Sequence, residues 1–228
     1  MDFEAGEILY VKKPLHWTSF DVVNRIRRVL CRQLDKKKLK VGHAGTLDPL
    51  ASGVMIVCTG KATKQIESLQ EGVKEYIATL ELGATTPSFD LEHPIDERYP
   101  TAHITRDLVD EKLAAFRGEI WQVPPIYSAV KVDGKRAFDY ARKGKEVELK
   151  PKLLVIDELE VLRFELPVLQ LRVVCSKGTY IRALARDIGI ALGSGAHLTV
   201  LDRTRVGNVT LEQCWEIEDL LEKIKQIT

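Results

Sequence analysis

Residues 42–53 read GHAGTLDPLASG and run directly into VMIVCTG at 54–60. A single carboxylate, Asp48, stands among glycines, small residues and a proline, and the segment after it is apolar enough to be a buried strand. Pro49 disfavours helical geometry at Asp48, so the carboxylate rides on extended or turn backbone of comparatively fixed direction. Gly42, Gly45 and Gly53 allow another backbone or a flat ligand to approach closely. A loop of this kind, anchored by a core strand, is the usual seat of a functional side chain. The competing reading is an Asp-Pro turn whose carboxylate only caps local backbone.

Two other kinds of site fit the stretch poorly. GVMIVCTGKAT is superficially like a P-loop, but Gly53 and Gly60 are too far apart and Lys61 is followed by Ala62 where a metal-binding Ser or Thr is needed. A zinc site fails because His43 has no second histidine or cysteine at ligand spacing. A metal-free carboxylate is what remains.

With 228 residues, 45% of them hydrophobic, the chain can bury a substantial core, and we read residues 1–228 as one domain. The apolar run Val54 to Cys58 is far shorter than the roughly 20 residues of a membrane helix. The N-terminus MDFEAGE is acidic, so neither a membrane span nor a secretory signal is expected, and a cytoplasmic location is. Cys31, Cys58, Cys175 and Cys214 form no C-x-x-C pair and read as free thiols in a reducing cytosol. The net charge of +1 conceals an uneven distribution, because Arg25 to Lys40 holds eight basic residues against one acid. Such a run can meet several phosphates or serve as a solvated helix face.

Thr18 and Ser19, with Asp21, predict the start of a helix carrying Val22, Val23, Ile26, Val29 and Leu30 at helical spacing and ending near Leu34. VMIVCTG and Glu75 to Gly83 predict strands, and residues 84–103 a loop. Thr105 opens a second helix with Leu108, Leu113 and Phe116 inward and Gly118 as terminator. Asp133-Gly134 between short apolar runs predicts a type I′ hairpin, followed by a short helix from Ala137 to Lys143. LLVIDELEVLRFEL and VLQLRVVCSKG supply further strands, then a helix with Ile181, Leu184, Ala185, Ile188 and Leu192 inside, and residues 211–227 one last amphipathic helix. Strands outnumber helices without regular βαβ alternation, which favours an α+β fold.

The blocks VGHAGTLDPLASGVMIVCTGKATK, KEYIATLELGATT, PPIYSAVKVDGKRAFDYARKG, CSKGTYIRALARDIG and LDRTRVG occur in this order from about Gly6 to Asn208, and together they resemble the TruB family of tRNA pseudouridine synthases. The resemblance implies a pseudouridine synthase fold, a central mixed, mostly antiparallel β-sheet flanked by helices and loops, as a single catalytic domain. It implies an enzyme that isomerises uridine-55 of the tRNA T-loop to pseudouridine, with no cofactor or metal, and tRNA, through its T-arm stem-loop, as the partner. A monomer needing no protein partner is expected. Asp48 matches the family's catalytic carboxylate, suited by its chemistry to attack or stabilise a sugar carbon as the glycosidic bond breaks. Arg182 matches the arginine that pairs with it, and Tyr76 the tyrosine that stacks on the flipped uracil. His43, Lys64, Tyr180 and Arg136 are carried over as substrate-binding residues. If Gly178 to Arg182 is extended, Tyr180 and Arg182 face one side, so the following helix is expected to begin after Arg182. Residues 124–151 resemble the family's RNA-gripping insertion, and Lys131, Lys135, Arg136, Arg142, Lys143 and Lys145 suit that role.

The chain departs from the family in two places. TPSFD at 86–90 replaces a T-D-T-x-D pattern while retaining Asp90, and no PUA-type domain follows the catalytic domain before Thr228. Weaker tRNA binding, or compensation by the Arg25 to Lys40 run, is the expected result. A tRNA-binding and folding module without turnover, or a guide-RNA-dependent synthase subunit, are the alternatives.

Overall fold

The structure, a computed structural model, describes residues 1–145 and 147–226. In chain order its elements are β1 (Ile8–Lys13), α1 (Ser19–Gln33), β2 (Val41–His43), β3 (Ala51–Thr59), a 3-10 turn (Gly60–Gln65), α2 (Ile66–Leu69), β4 (Lys74–Leu82), β5 (Ala84–Thr85), β6 (Glu97–Arg98), α3 (Arg106–Ala114) and β7 (Gly118–Gln122). Then come β8 (Lys131–Val132), β9 (Lys135–Arg136), α4 (Ala137–Ala141), β10 (Lys152–Glu165), β11 (Val168–Cys175), α5 (Ile181–Ala191), β12 (Ala196–Val206), β13 (Val209–Thr210), a second 3-10 turn (Leu211–Gln213) and α6 (Ile217–Lys225). The fold is α+β, with a mixed, mostly antiparallel sheet, as expected. Two compact units divide it: Met1–Tyr76 with Leu201–Thr228, and Ile77–Val200.

In the first unit the strand order is β1-β3-β12-β4, with β2 also on β3 and β13 on β12. β1 and β2 run antiparallel to β3, whereas β12 runs parallel to it. The apolar run Val54 to Cys58 has no polar alternation because β3 is covered on both faces. Met55 and Val57 pack with α1, α6 and β1, while Val54, Ile56 and Cys58 pack with Ala44, Ala62, Val206 and Val209. α1 begins where Thr18 and Asp21 form a full capping box, and it buries Val22, Val23, Ile26 and Leu30, each contributing about 1.5–3 kcal/mol of burial.

The second unit has the order β12-β4-β11-β10-β7, in which β10 pairs antiparallel with both β11 and β7. α5 buries Ile181, Leu184, Ala185 and Ile188, and Leu192 just beyond it is also buried. The hairpin β8–β9 turns at Asp133 and Gly134, whose φ values of 50° and 78° are those a type I′ turn requires.

Five expectations are corrected. The loop over 84–103 contains the pair β5–β6, whose mostly polar residues gave no alternation to read. α3 buries Val109 and Leu113, with Leu108 and Phe116 only half-buried, so its inner face is turned by one residue; Gly118 opens β7. The short helix after the hairpin ends at Ala141, two residues early. β12 was not expected as a strand, since its charged residues mask the period. The last segment is a 3-10 turn and then α6, broken where Trp215 N–H donates to Tyr10 O at 2.9 Å and Trp215 O accepts from Lys12 N–H at 2.9 Å. The predicted end of that helix, Ile227, lies outside the described residues.

Gly53 is the tightest point of the first unit. It has φ +111°, and a Cβ there would lie 2.2 Å from the Arg203 carbonyl oxygen and 2.7 Å from its nitrogen. Gly53→Ala is therefore expected to cost at least about 2 kcal/mol of stability, read as a lowered urea midpoint. An unchanged midpoint would show that β3 and β12 are not held at this spacing.

Candidate active site

The loop that carries Asp48 is fastened at several points within the first unit. On one side of Asp48, the Ser19 hydroxyl donates to Leu47 O at 3.0 Å and accepts from Leu47 N–H at 2.9 Å. On the other, His16 N–H donates to Pro49 O at 2.8 Å. Ala51 N–H closes the turn onto Asp48 O at 3.0 Å. Arg203 on β12, 2% exposed, sends its guanidinium to Val54 O at 2.8 Å, Gly45 O at 3.3 Å and Thr46 O at 3.5 Å. Asp48 itself is half-buried.

Lys13, at the end of β1, is fully buried, and its ammonium donates to Pro14 O at 2.8 Å and Trp17 O at 2.5 Å. Burial pushes its pKa from 10.5 to about 8, with nearby Asp48 favouring the charged form and Arg203 opposing it. Lys13 and Arg203 thus make the ground beneath the loop electropositive. His43, at the end of β2, is pushed below its ordinary pKa by burial first and by Arg203, against a backbone contact at Gly45. Its Nδ1 is buried and, among the described residues, has no hydrogen-bond partner.

Tyr76 lies on the same face of β4 as Lys74, Ala78, Leu80 and Leu82, and is 9% exposed. Lys64 sits in the 3-10 turn after β3, exposed, beside a cleft that Lys38, Lys40 and Lys61 also line. These four lysines have no carboxylate partner among the described residues. The basic run is less free than its composition suggests, because Arg27 donates to Val41 O at 2.9 Å and Lys36 pairs with Glu4 at 3.2 Å.

The second unit holds Arg182 and Tyr180. α5 begins at Ile181 with Tyr180 as its N-cap, so Arg182 is already inside the first turn, which corrects the expected extended stretch. The Tyr180 backbone is gripped twice by the buried Gln122, whose Oε1 accepts from Tyr180 N–H at 2.9 Å and whose Nε2 donates to Tyr180 O at 3.2 Å. Buried Arg182 donates to Ser88 O at 3.2 Å and Tyr127 O at 3.0 Å, and its Nε lies 3.5 Å from Asp90 Oδ2. Asp90 also accepts from the Ser88 hydroxyl at 2.5 Å and from Glu92 N–H at 2.9 Å. Ser88 therefore supplies the hydroxyl that the departed T-D-T-x-D pattern would place there. Arg136 is exposed on β9, its guanidinium 5.7 Å from the Phe138 ring centroid.

Lys13, Gln122 and Arg203 escaped the sequence reading, and Ser19 was read only as part of a helix start. Arg203 alone left a signal, lying two residues after Leu201 at the apolar parity of a strand. Among the described residues no three His, Cys, Asp or Glu side chains gather as a metal site, and no helix is long and apolar enough to cross a membrane.

Comparison with known proteins shows which sequences and folds the chain is similar to. A family model described as TruB family pseudouridylate synthase (N terminal domain) matches residues 31–181, and one described as tRNA pseudouridylate synthase B C-terminal domain matches residues 182–227. The chain is 69% identical over 226 residues to a tRNA pseudouridine synthase B of Parabacteroides distasonis, covering 98% of this chain and 96% of the relative. It is 68% identical over 226 residues to one of Bacteroides fragilis, covering 99% and 97%. It is also similar to a chain in the crystal structure of a Cbf5-Nop10-Gar1 complex, with 31% identity and a TM-score of 0.72 over 96% of this chain; that match spans about half, 54%, of the other chain.

Two measurements probe the fastening. Ser19→Ala removes both contacts to Leu47 and is expected to cost about 1–2 kcal/mol in urea unfolding; no loss would mean the loop holds its place without them. For Lys13, the folded chain gives up its proton near pH 8, whereas an unfolded lysine keeps it to about 10.4. The unfolded chain thus binds more protons in that window, and stability rises with pH through it. The urea midpoint of the wild type is expected to gain on that of Lys13→Met between those pH values; a constant difference would contradict a buried ammonium.

Proposed function

Because the chain belongs to the TruB family of pseudouridylate synthases, we propose that it converts uridine-55 of the tRNA T-loop to pseudouridine, with Asp48 as the catalytic carboxylate. The observation that carries this reading is the fastening of the Asp48 backbone on both sides, which fixes where one carboxylate can reach. Such fixed placement is what converts a weak nucleophile or base into an effective one.

The uridine leaves the stack of the T-loop, and Tyr76 offers its ring to the extruded base, recovering roughly 1–3 kcal/mol of lost stacking. The bond from N1 to the sugar C1′ breaks and one from C5 to C1′ forms; C5 releases a proton and N1 takes one up. Asp48 either attacks the sugar carbon or removes the 2′ proton, and both routes require it ionised. Arg182 is assigned to hold that charge, its guanidinium being held by Asp90 and by the Ser88 and Tyr127 carbonyls. His43 and Tyr180 border the base, and Lys64 and Arg136 bind the RNA backbone. The insertion at 124–151 grips the T-arm through Lys131, Lys135, Arg136, Arg142, Lys143 and Lys145, all exposed. The whole chain acts as one catalytic domain and a cytoplasmic monomer, without metal, cofactor, guide RNA or protein partner.

Asp48→Asn is expected to abolish tritium release from 5-labelled uridine in tRNA while changing tRNA affinity by no more than about threefold. Arg182→Ala is expected to lose far more single-turnover rate than affinity. Wild-type release by Asp48→Asn would defeat the enzymatic assignment, and a wild type that turns over only with added guide RNA or protein would favour a guided subunit.

A further inference from the structure

Beside the Asp48 loop lies a cleft of about 390 Å³ lined by His16, Trp17, Asp21, Asn24, Arg25 and Arg28. Its volume falls within the roughly 300–1,000 Å³ of sites that hold small molecules or their equivalents. We propose that this cleft takes an unpaired nucleotide of the substrate RNA that flanks the target uridine, with its base against the Trp17 indole and its phosphate at Arg28. The proposal rests on RNA being the substrate, and it assigns a second contact distinct from the site of the chemistry.

Three observations converge on it. First, the cleft is joined to the Asp48 loop by backbone, since His16 N–H donates to Pro49 O at 2.8 Å. That contact ties the rim of the cleft to the residue that follows Asp48 in the chain. Second, the wall is built rather than incidental. His16 has φ 67°, a left-handed conformation that a residue with a side chain adopts only at a cost and that clusters at ligand sites. The buried ammonium of Lys13 holds that turn by the carbonyls of Pro14 and Trp17.

Third, the charges suit a polyanion. Arg25, Arg28 and Arg32 lie three and four residues apart on one face of α1, spanning about 10 Å at 1.5 Å per residue. All three are exposed. Arg25 is drawn toward Glu218 at 3.9 Å, but Arg28 and Arg32 have no carboxylate partner among the described residues. The one acid in the cleft, Asp21, is committed to the helix cap, with Oδ2 accepting from Thr18 N–H at 2.8 Å and from the Thr18 hydroxyl at 2.6 Å. Its remaining oxygen and the Asn24 NH2 group can meet the polar edge of a base, while Asn24 Oδ1 already accepts from Arg27 at 3.3 Å.

The test uses T-arm stem-loops in which each unpaired nucleotide flanking the target is made abasic in turn, bound to the full chain by filter binding beside tritium release. For one flanking position, the abasic RNA is expected to bind the wild type about tenfold more weakly, and Trp17→Ala is expected to abolish that difference. Trp17→Phe, which keeps a stacking ring, should restore most of it. Arg28→Gln, at an exposed site that does not threaten folding, should lower the slope of log affinity against log salt by about 0.7, one single-strand phosphate. If no abasic position loses its penalty in Trp17→Ala, or if Arg28→Gln leaves the salt slope unchanged, the cleft holds no nucleotide. Tritium release by the wild type separates this failure from failure of the underlying assignment: an active wild type with both variants silent overturns the cleft alone, and an inactive wild type overturns both.

Discussion

A single buried guanidinium carries the Asp48 loop. Arg203 meets the carbonyls of Gly45, Thr46 and Val54, so it joins the start of the loop to the strand that leaves it. Glycine-rich loops have little side-chain packing to define their path, and their carbonyls must find donors when solvent is excluded. Each such carbonyl left unpaired would cost about 1–3 kcal/mol. An arginine from a strand 150 residues distant in sequence supplies three donors at once, from a planar fork whose geometry is itself fixed. The loop therefore inherits the rigidity of the sheet.

The same logic recurs in the second unit with different partners. Gln122 holds the backbone of Tyr180 from both sides, and Asp90 with Ser88 holds the guanidinium of Arg182. In both units, buried polar side chains fix the backbone or side chain of a candidate site residue. Ser88 stands where the family pattern has a threonine. The hydroxyl is retained, and only a methyl group is lost from a buried position.

How far the chain could be read before its structure was known follows from these placements. α1 was legible because its cap, its apolar spacing and its basic end agree, and β4 because burial alternates residue by residue along it. The fixed course of the Asp48 loop was legible because Pro49 and the flanking glycines leave that stretch little helical character, and the turn closes at Ala51. The family was legible from five ordered blocks, and the two family models confirm it. β12 was not, because Asp202, Arg203 and Arg205 look solvated, and nothing local says that Arg203 is buried against carbonyls from another part of the chain. Lys13 was hidden for the same reason, since a lysine in KKPLHW reads as surface until the turn is seen to wrap its ammonium. The inner face of α3 was misplaced by one residue because Leu108 and Val109 are both apolar and only packing decides between them.

The close parallel passage of β3 and β12 has a bearing on descent. Gly53 touches the backbone of the very residue whose side chain supports the loop. Any lineage that acquires a bulkier residue at 53 must let the neighbouring strand slide, and the arginine slides with it, away from the carbonyls it serves. The space at 53 and the reach of the side chain at 203 are thus set by one and the same strand spacing.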